Sequence, residues 1–493
     1  MNKIFRVIWN DVLCLWQCVS ELASAYGKPS SQHSSSPSSD SSSVPSRRFH
    51  YTILLGALLL ALSGLTVSTA HAGATPYQGS YTETISSDIT KSGQDGFLFV
   101  GDPALSNEGP KHLLITSTGH LTINRANLQV TGYHVGSSGS PDDPRVKAVA
   151  GSNVDVNGGR ITSTGEWFEI GRTNYGFMNV YNGATVTTSG HVGIGAWRST
   201  TGELAYLTID GENTHFTAGG DFFVGDAGDG FQGAGILNVS GGANLKVARL
   251  LTANANTHAE IHFDNAKLEV TQGGNLFENI NTVSGNDKDI IDIRAGGLEF
   301  TASAASYKQA ENAALSGTGL FTKKGAGTVT LAADNTYSGG THIVEGKVQA
   351  GDGRAKGTFG TGAITLDDNT TAAINRSDAY MFSNELIGGS NTHFEQNGEG
   401  TIIIDRNNDQ FEGSTAINKG TLQLGNGAAA GSVGSGSITM ASNTTLKLNR
   451  SDDFTLSNEL IGGNDTRFEQ DGTGTAIIER DNTQFSGTTH VNK

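Results

Sequence analysis

The chain has 493 residues, a formal net charge of −16, 67 glycines and only 8 prolines. Gly is at about twice its usual ~7% share and Pro is well below its usual ~5%, which describes many turns between strands that are seldom broken and argues against a row of compact globular domains. The acidic balance disfavours nucleic acid and anionic lipid headgroups as partners, and because both cysteines, Cys14 and Cys18, lie near the N-terminus, residues 73–493 cannot form a disulfide.

The first segment, MNKIFRVIWNDVLCLWQCVSELASAYGK, has no evident use in a folded domain. Asn2, Lys3, Ile4, Arg6, Val7, Ile8, Trp9 and Asn10, then Trp16, Gln17, Val19, Ser20, Glu21, Leu22, Ala23 and Lys28, follow a pattern that resembles the extended signal-peptide region of type V secretion proteins. A Ser/Pro-rich tether, PSSQHSSSPSSDSSSVPS, comes next and offers nothing to bury. Arg47 and Arg48 then supply a positive flank, Ile53 to Val67 an apolar run, and Ala70-His71-Ala72 the small-x-small pattern that a signal peptidase requires. The run is shorter than the ~20 residues of a membrane span, and Phe49-His50-Tyr51 continues a twin-arginine signal poorly. The reading therefore expects cleavage between Ala72 and Gly73, with the membrane met only during export. The leader holds five Lys or Arg and three acidic residues, which leaves 27 basic against 45 acidic side chains in 73–493.

Beyond the leader, short alternating cores start at Leu121 (LTI), Val154 (VDV), Met178 (MNV), Leu207 (LTI), Leu237 (LNV), Ile261 (IHF) and Ile291 (IDI), at spacings of 33, 24, 29, 30, 24 and 30 residues. Gly136, Gly171, Gly195 and Gly225 close the first four. Period-2 alternation predicts strands, and a quasi-regular period of this length marks a stacked repeat architecture. Further on, NRSDAYMFSNELIGGSNTHFEQ from Asn375 recurs as NRSDDFTLSNELIGGNDTRFEQ from Asn449, an offset of 74 that also carries Gly362 onto Gly436, and Tyr337 onto Phe411 onto Phe485. At ~24 to 25 residues per coil, 74 residues predict three coils of a parallel β-solenoid. In TLQLG (Thr421 to Gly425), Leu422 and Leu424 should point inward and Gln423 outward. Four sections are expected: an N-terminal cap with the first coils (73–120), an irregular β-helix with loop insertions (121–301), an excursion or short helix at 302–317, where ASAASYKQAENAAL favours helix, and a second β-helix (318–493).

Residues Gly319 to Gly351, GLFTKKGAGTVTLAADNTYSGGTHIVEGKVQAG, resemble the passenger-associated transport repeat of type Va autotransporters. Asn335, Thr336, Tyr337, Ser338, Gly339, Gly340 and Thr341 carry the match, and NDQFEGST from Asn408 and NTQFSGTT from Asn482 are looser copies. The resemblance, of the AIDA-like adhesin type, implies an all-β chain: a right-handed parallel β-helix (β-solenoid) preceded by a cleaved extended signal peptide and threaded through an outer-membrane translocator barrel. The chain stops at Lys493, equivalent to Lys419, with no barrel-like stretch after it, so the reading expects a truncated product or a translocator encoded elsewhere.

Chemistry is sparse. GSSGSP (Gly136 to Pro141) resembles a serine-protease nucleophile loop, yet Ser138 has no evident base or orienting group. GDAGDG (Gly225 to Gly230) fits neither common calcium loop, and the thirteen histidines show no zinc spacing. No catalytic, metal or cofactor site is assigned. Polar and aromatic insertions follow each closing glycine, and stacking should align them on one edge; Tyr175, Trp197, Arg198 and Phe231 are the candidate binding residues there. The expected function is a surface passenger mediating adhesion, self-association or biofilm formation, with host surface molecules or like passengers on other cells as partners. The alternatives are a scaffold that presents another domain and, less favoured, an enzyme.

Overall fold

The computed structural model describes residues 5–10 and 15–20, six strand segments between 82 and 130, and residues 152–493 apart from 172–175, 196–203, 226–233, 253–257, 281, 283–287 and 304–305. It divides into two units, Met1–Thr69 and Ala70–Lys493. In the first, Phe5–Asn10 and Leu15–Ser20 form an antiparallel hairpin in which Trp9 pairs with Trp16.

In the second unit every described strand pair is parallel, and each turn of chain lays successive strands on three ladders. A nine-stranded sheet runs from Thr82–Ile85 to Leu315–Gly317, a twelve-stranded sheet from Asp88–Ser92 to Leu386–Gly388, and a six-stranded sheet from Phe97–Val100 to Leu250–Leu251. Further along, a nine-stranded sheet from Gly274–Leu276 to Leu460–Gly462 and a six-stranded sheet from Ala379–Phe382 to Thr488–Val491 take over. This is a parallel β-solenoid. Its backbone groups are satisfied between coils, while alternate side chains fill the interior.

The predicted cores form the interior in register. Val154, Met178, Leu207, Leu237, Ile261 and Ile291 make one inward column, each directly over the last, and all are essentially inaccessible. Leu121 belongs elsewhere: it pairs with Ile161 on the twelve-stranded sheet, so the 33-residue spacing to Val154 joins two different faces. Leu422 and Leu424 are buried, and Gln423 is half-exposed with its amide donating to Gly425 O at 2.8 Å.

Residues 302–317, expected as an excursion or short helix, carry strands instead. Ser306–Gln309 pairs with both Gly274–Leu276 and Thr328–Leu331, and Leu315–Gly317 continues the ladder of Ile290–Ile293. The sequence favours helix only weakly, at a few tenths of a kcal/mol per residue, whereas the strand buries Tyr307 edge-on against Phe300, with ring centroids 5.6 Å apart, and lets its hydroxyl donate to Val270 O at 2.7 Å. Ladder and packing outweigh propensity.

Candidate binding edge and transport-repeat locks

Gly171, Gly195 and Gly225 sit one above another. The Gly195 amide donates to Ile170 O and the Gly225 amide to Ile194 O, both at 2.8 Å, and all three have left-handed φ near +70°. At Gly195 a Cβ would come within 2.3 Å of Ala234 O, so the close approach of the returning strand also demands glycine. The strands that restart each turn, Gly176–Tyr181, Leu204–Asp210 and Ala234–Ser240, are likewise in register. The insertions thus leave and rejoin the solenoid from stacked ends. Tyr175, Trp197, Arg198 and Phe231 themselves lie outside the described residues, as do Ala70, Ala72, Gly73 and Ser138 and all of GDAGDG beyond Gly225.

Sequence reasoning missed the half-buried aromatics flanking these ends. On the side before the glycines, Trp167 lies 5.0 Å from His191 and 5.8 Å from Phe223, centroid to centroid. Beside them Arg249 grips Asp221 with two hydrogen bonds, at 2.7 and 2.6 Å, and approaches Glu278 at 3.7 Å. His191 Nδ1 accepts the Asp221 amide at 3.0 Å, which leaves Nε2 as the protonated nitrogen of the neutral ring. On the side after the glycines, Phe177 stacks on Tyr206 at 5.4 Å. The signal was present in WFEIG and FFVG, whose outward positions hold rings where strands normally place polar groups.

The second feature is a set of buried polar side chains that lock coils together. Lys323, fully buried, turns its ammonium into a corner where Gly325 O, Gly327 O and Glu345 O accept its protons. Three carbonyls match the three donors of the charged form, while burial pulls the ammonium down to about 8. Gln396 and Gln470 play the same part in later coils, each at a different corner of the solenoid, donating to Gly398 O and Gly400 O and to Gly472 O and Gly474 O.

Asn335 acts as a staple: its Oδ1 accepts the Leu315 amide from the preceding coil at 2.9 Å and its Nδ2 donates to Thr358 O of the following coil at 2.8 Å. Asn408 repeats this between Leu386 N and Ser432 O, both at 2.8 Å, and Asn482 accepts Leu460 N at 2.8 Å. Beside each buried asparagine side chain an aromatic, Tyr337 or Phe411, is fully enclosed. Burial pushes the Tyr337 phenol far up, and its oxygen lies 2.6 Å from Thr341 Oγ1.

Arg376 and Arg450, from the recurring NRSD, form twin clamps. Arg376 binds Asp378 through two hydrogen bonds at 2.9 and 2.8 Å, donates to Gly357 O and Ala355 O, and lies 4.4 Å over the Tyr380 ring. Arg450 does the same with Asp452, Gly431 O, Ala429 O and Phe454. Each closes a Gly-rich corner, 351–357 or 425–431, over the core. Among the described residues no group of three or more His, Cys, Asp or Glu is arranged to hold a metal ion.

An export leader followed by a parallel β-solenoid, closed at its corners by locks that recur with the repeat, defines a class: an exported, repeat-built β-helical domain. Comparison with known proteins narrows it. Residues 1–46 match the family model described as the Extended Signal Peptide of Type V secretion system, and residues 321–350 and 394–424 match the Passenger-associated-transport-repeat. The chain is 28% identical over 212 residues, 36% of its length, to the protein named Adhesin BmaC autotransporter from Brucella suis biovar 1 (strain 1330). It spans only 6% of that relative's length. No solved structure matches. These matches support a type V autotransporter passenger, exported to the outer membrane or cell surface. The matched repeats contain the locks just described, Lys323, Asn335 and Tyr337 in one and Gln396, Asn408 and Phe411 in the other.

Proposed function

We propose that this passenger mediates adhesion or self-association at the bacterial surface, through the edge on which the insertions after Gly171, Gly195 and Gly225 are mounted. The stacked mounts carry the reading: they repeat one attachment point on successive coils, so weak contacts can act together. Half-buried rings on both sides supply the residue types that dominate protein interfaces. The similarity to an autotransporter adhesin points the same way. Tyr175, Trp197, Arg198 and Phe231 are the proposed contact residues, host surface molecules or like passengers on neighbouring cells the proposed partners, and a non-enzymatic role the proposed mode of action. The family implies a translocator barrel as the export partner.

The test is display of residues 73–493 on a bacterium behind a supplied barrel. Cells should clump or attach, and shortening segments 137–148 and 196–203 should weaken this at equal surface abundance. Dispersed, non-adherent cells, or loop deletions without effect, would transfer support to a scaffold that presents another domain.

A further inference from the structure

His258, Glu260 and His262 alternate along one strand, His258–Asp264, and so share its outward face. The Glu260 carboxylate lies between the two imidazoles, with Oε1 3.0 Å from His258 Nε2 and Oε2 3.1 Å from His262 Nε2. His262 Nδ1 is buried without a hydrogen-bond partner and points to the following coil at ion-pair distance, 3.6 Å from Asp292 Oδ2, while Asp292 accepts from Arg294 Nε at 3.2 Å. The His262 side chain is only 10% exposed. The preceding strand, Ala234–Ser240, carries no charged side chain and sets Asn238 beside His262. The other nearby charge, buried Asp289, receives the Ala259 amide at 2.8 Å.

We propose that His262, held between Glu260 and Asp292, is a proton-operated latch that ties the coil of His258–Asp264 to the coil of Ile290–Ile293 in mildly acidic medium and loosens it as the medium becomes alkaline. The chemistry is one of donor count. An imidazolium has two N–H donors and faces two carboxylates; a neutral ring has one, so one carboxylate must then face a lone pair. Burial alone would pull the His262 imidazolium down, but Asp292 and Glu260 outweigh it and hold it above its ordinary 6.5. The hydrogen bonds from His258 and His262 hold the Glu260 carboxyl at about 2. A raised folded-state value contributes stability that is fully present below the unfolded value and is lost as pH rises through the folded one. The lowered Glu260 value contributes above the unfolded carboxyl value and is lost only as pH falls towards 2. The latch is therefore strongest between about pH 4.5 and about pH 6.5.

Amide hydrogen exchange on the full chain, corrected for the intrinsic rate, at about pH 6 and about pH 8.5 tests this. Protection in 258–264 and 290–293 should fall with rising pH, by up to about tenfold per unit, while 421–424 and 445–448 hold constant. His262→Asn, neutral at every pH, should abolish the dependence. Asp292→Asn, which alters a partly exposed partner and leaves the core in place, should reduce it. Equal protection at both values, or an undiminished dependence in either variant, overturns the proposal.

Discussion

Ile364 and Ile438 occupy the same place in two copies of the 74-residue repeat, yet they stand on different faces of the solenoid. Ile364 pairs with Leu386 on the twelve-stranded sheet, whereas Ile438 pairs with Thr415, which continues the column of Phe394 and Ala372 on the adjacent ladder. The repeat therefore advances the chain by three turns and one further face, not by three turns alone. Since residues 73–493 contain no cysteine, introduced pairs can report this directly. Ala416→Cys with Thr439→Cys, outward neighbours in register, should oxidise to a disulfide, because adjacent strands meet the ~5.5 Å Cα requirement. Gln410→Cys with Thr439→Cys, which would be stacked neighbours if the repeat advanced by three turns alone, should stay reduced. Non-reducing electrophoresis after mild oxidation distinguishes the two.

Leu422 is fully enclosed while Gln423 faces outward beside Lys447. Leu422→Asp should cost about 4 kcal/mol, since it opens a cavity and buries a carboxylate without a partner. Gln423→Asp should cost under about 1 kcal/mol, because the lost bond to Gly425 O is partly offset by the lysine. The shift of the denaturant transition measures both, and equal shifts would contradict the inward register.

Asn408 serves both neighbouring coils, and the side chain is fully buried. Asn408→Ala should cost about 2 kcal/mol, because it leaves Leu386 N and Ser432 O without their partner. Asn482→Ala, at a half-exposed position whose amide oxygen takes Leu460 N, should cost under about 1 kcal/mol. Local amide exchange at 386–388 and 460–462 reads the difference.

Arg450→Met removes the donors to Asp452, Gly431 O and Ala429 O but keeps the length and apolar stem. A loss of about 2 kcal/mol is expected, discounted because Asp452 is partly exposed to water. Arg450→Lys should recover only part of it, since an ammonium cannot reproduce the planar fork. The corner 425–431 should become protease-sensitive in both variants, and more so with Met.

Much of this fold was legible because strand alternation and landmark glycines are local signals. The LTI-type cores and the TLQLG pattern required only period-2 reasoning, and Gly171, Gly195 and Gly225 were legible as closing glycines, their left-handed φ being seen only in the structure. The excursion or short helix expected at 302–317 shows the limit: nothing within that window reveals that Gly274–Leu276 and Thr328–Leu331 wait on either side to pair with its first strand. The clamps were visible as a recurring NRSD, but not as clamps, because the Arg450 partners Ala429 and Gly431 lie about one coil earlier in the chain. Lys323 concealed itself differently, since a lysine in an alternating strand reads as solvent-facing until three carbonyls are seen around it. For the proposed binding edge, the sequence named loop residues outside the described structure, whereas the structure adds the rings at Trp167, Phe177, Tyr206 and Phe223.

The Asn335 and Asn408 staples bind each coil to both of its neighbours. Each holds one bond to the coil before and another to the coil after, so the polar groups of a turn are satisfied only when both neighbours are in place. Contacts between successive coils join residues roughly twenty apart, a separation at which loop closure is fast. Opening any one turn must therefore break bonds on both of its sides, so the locks of the transport repeat spread the cost of a local opening along the stack rather than confining it to a single coil.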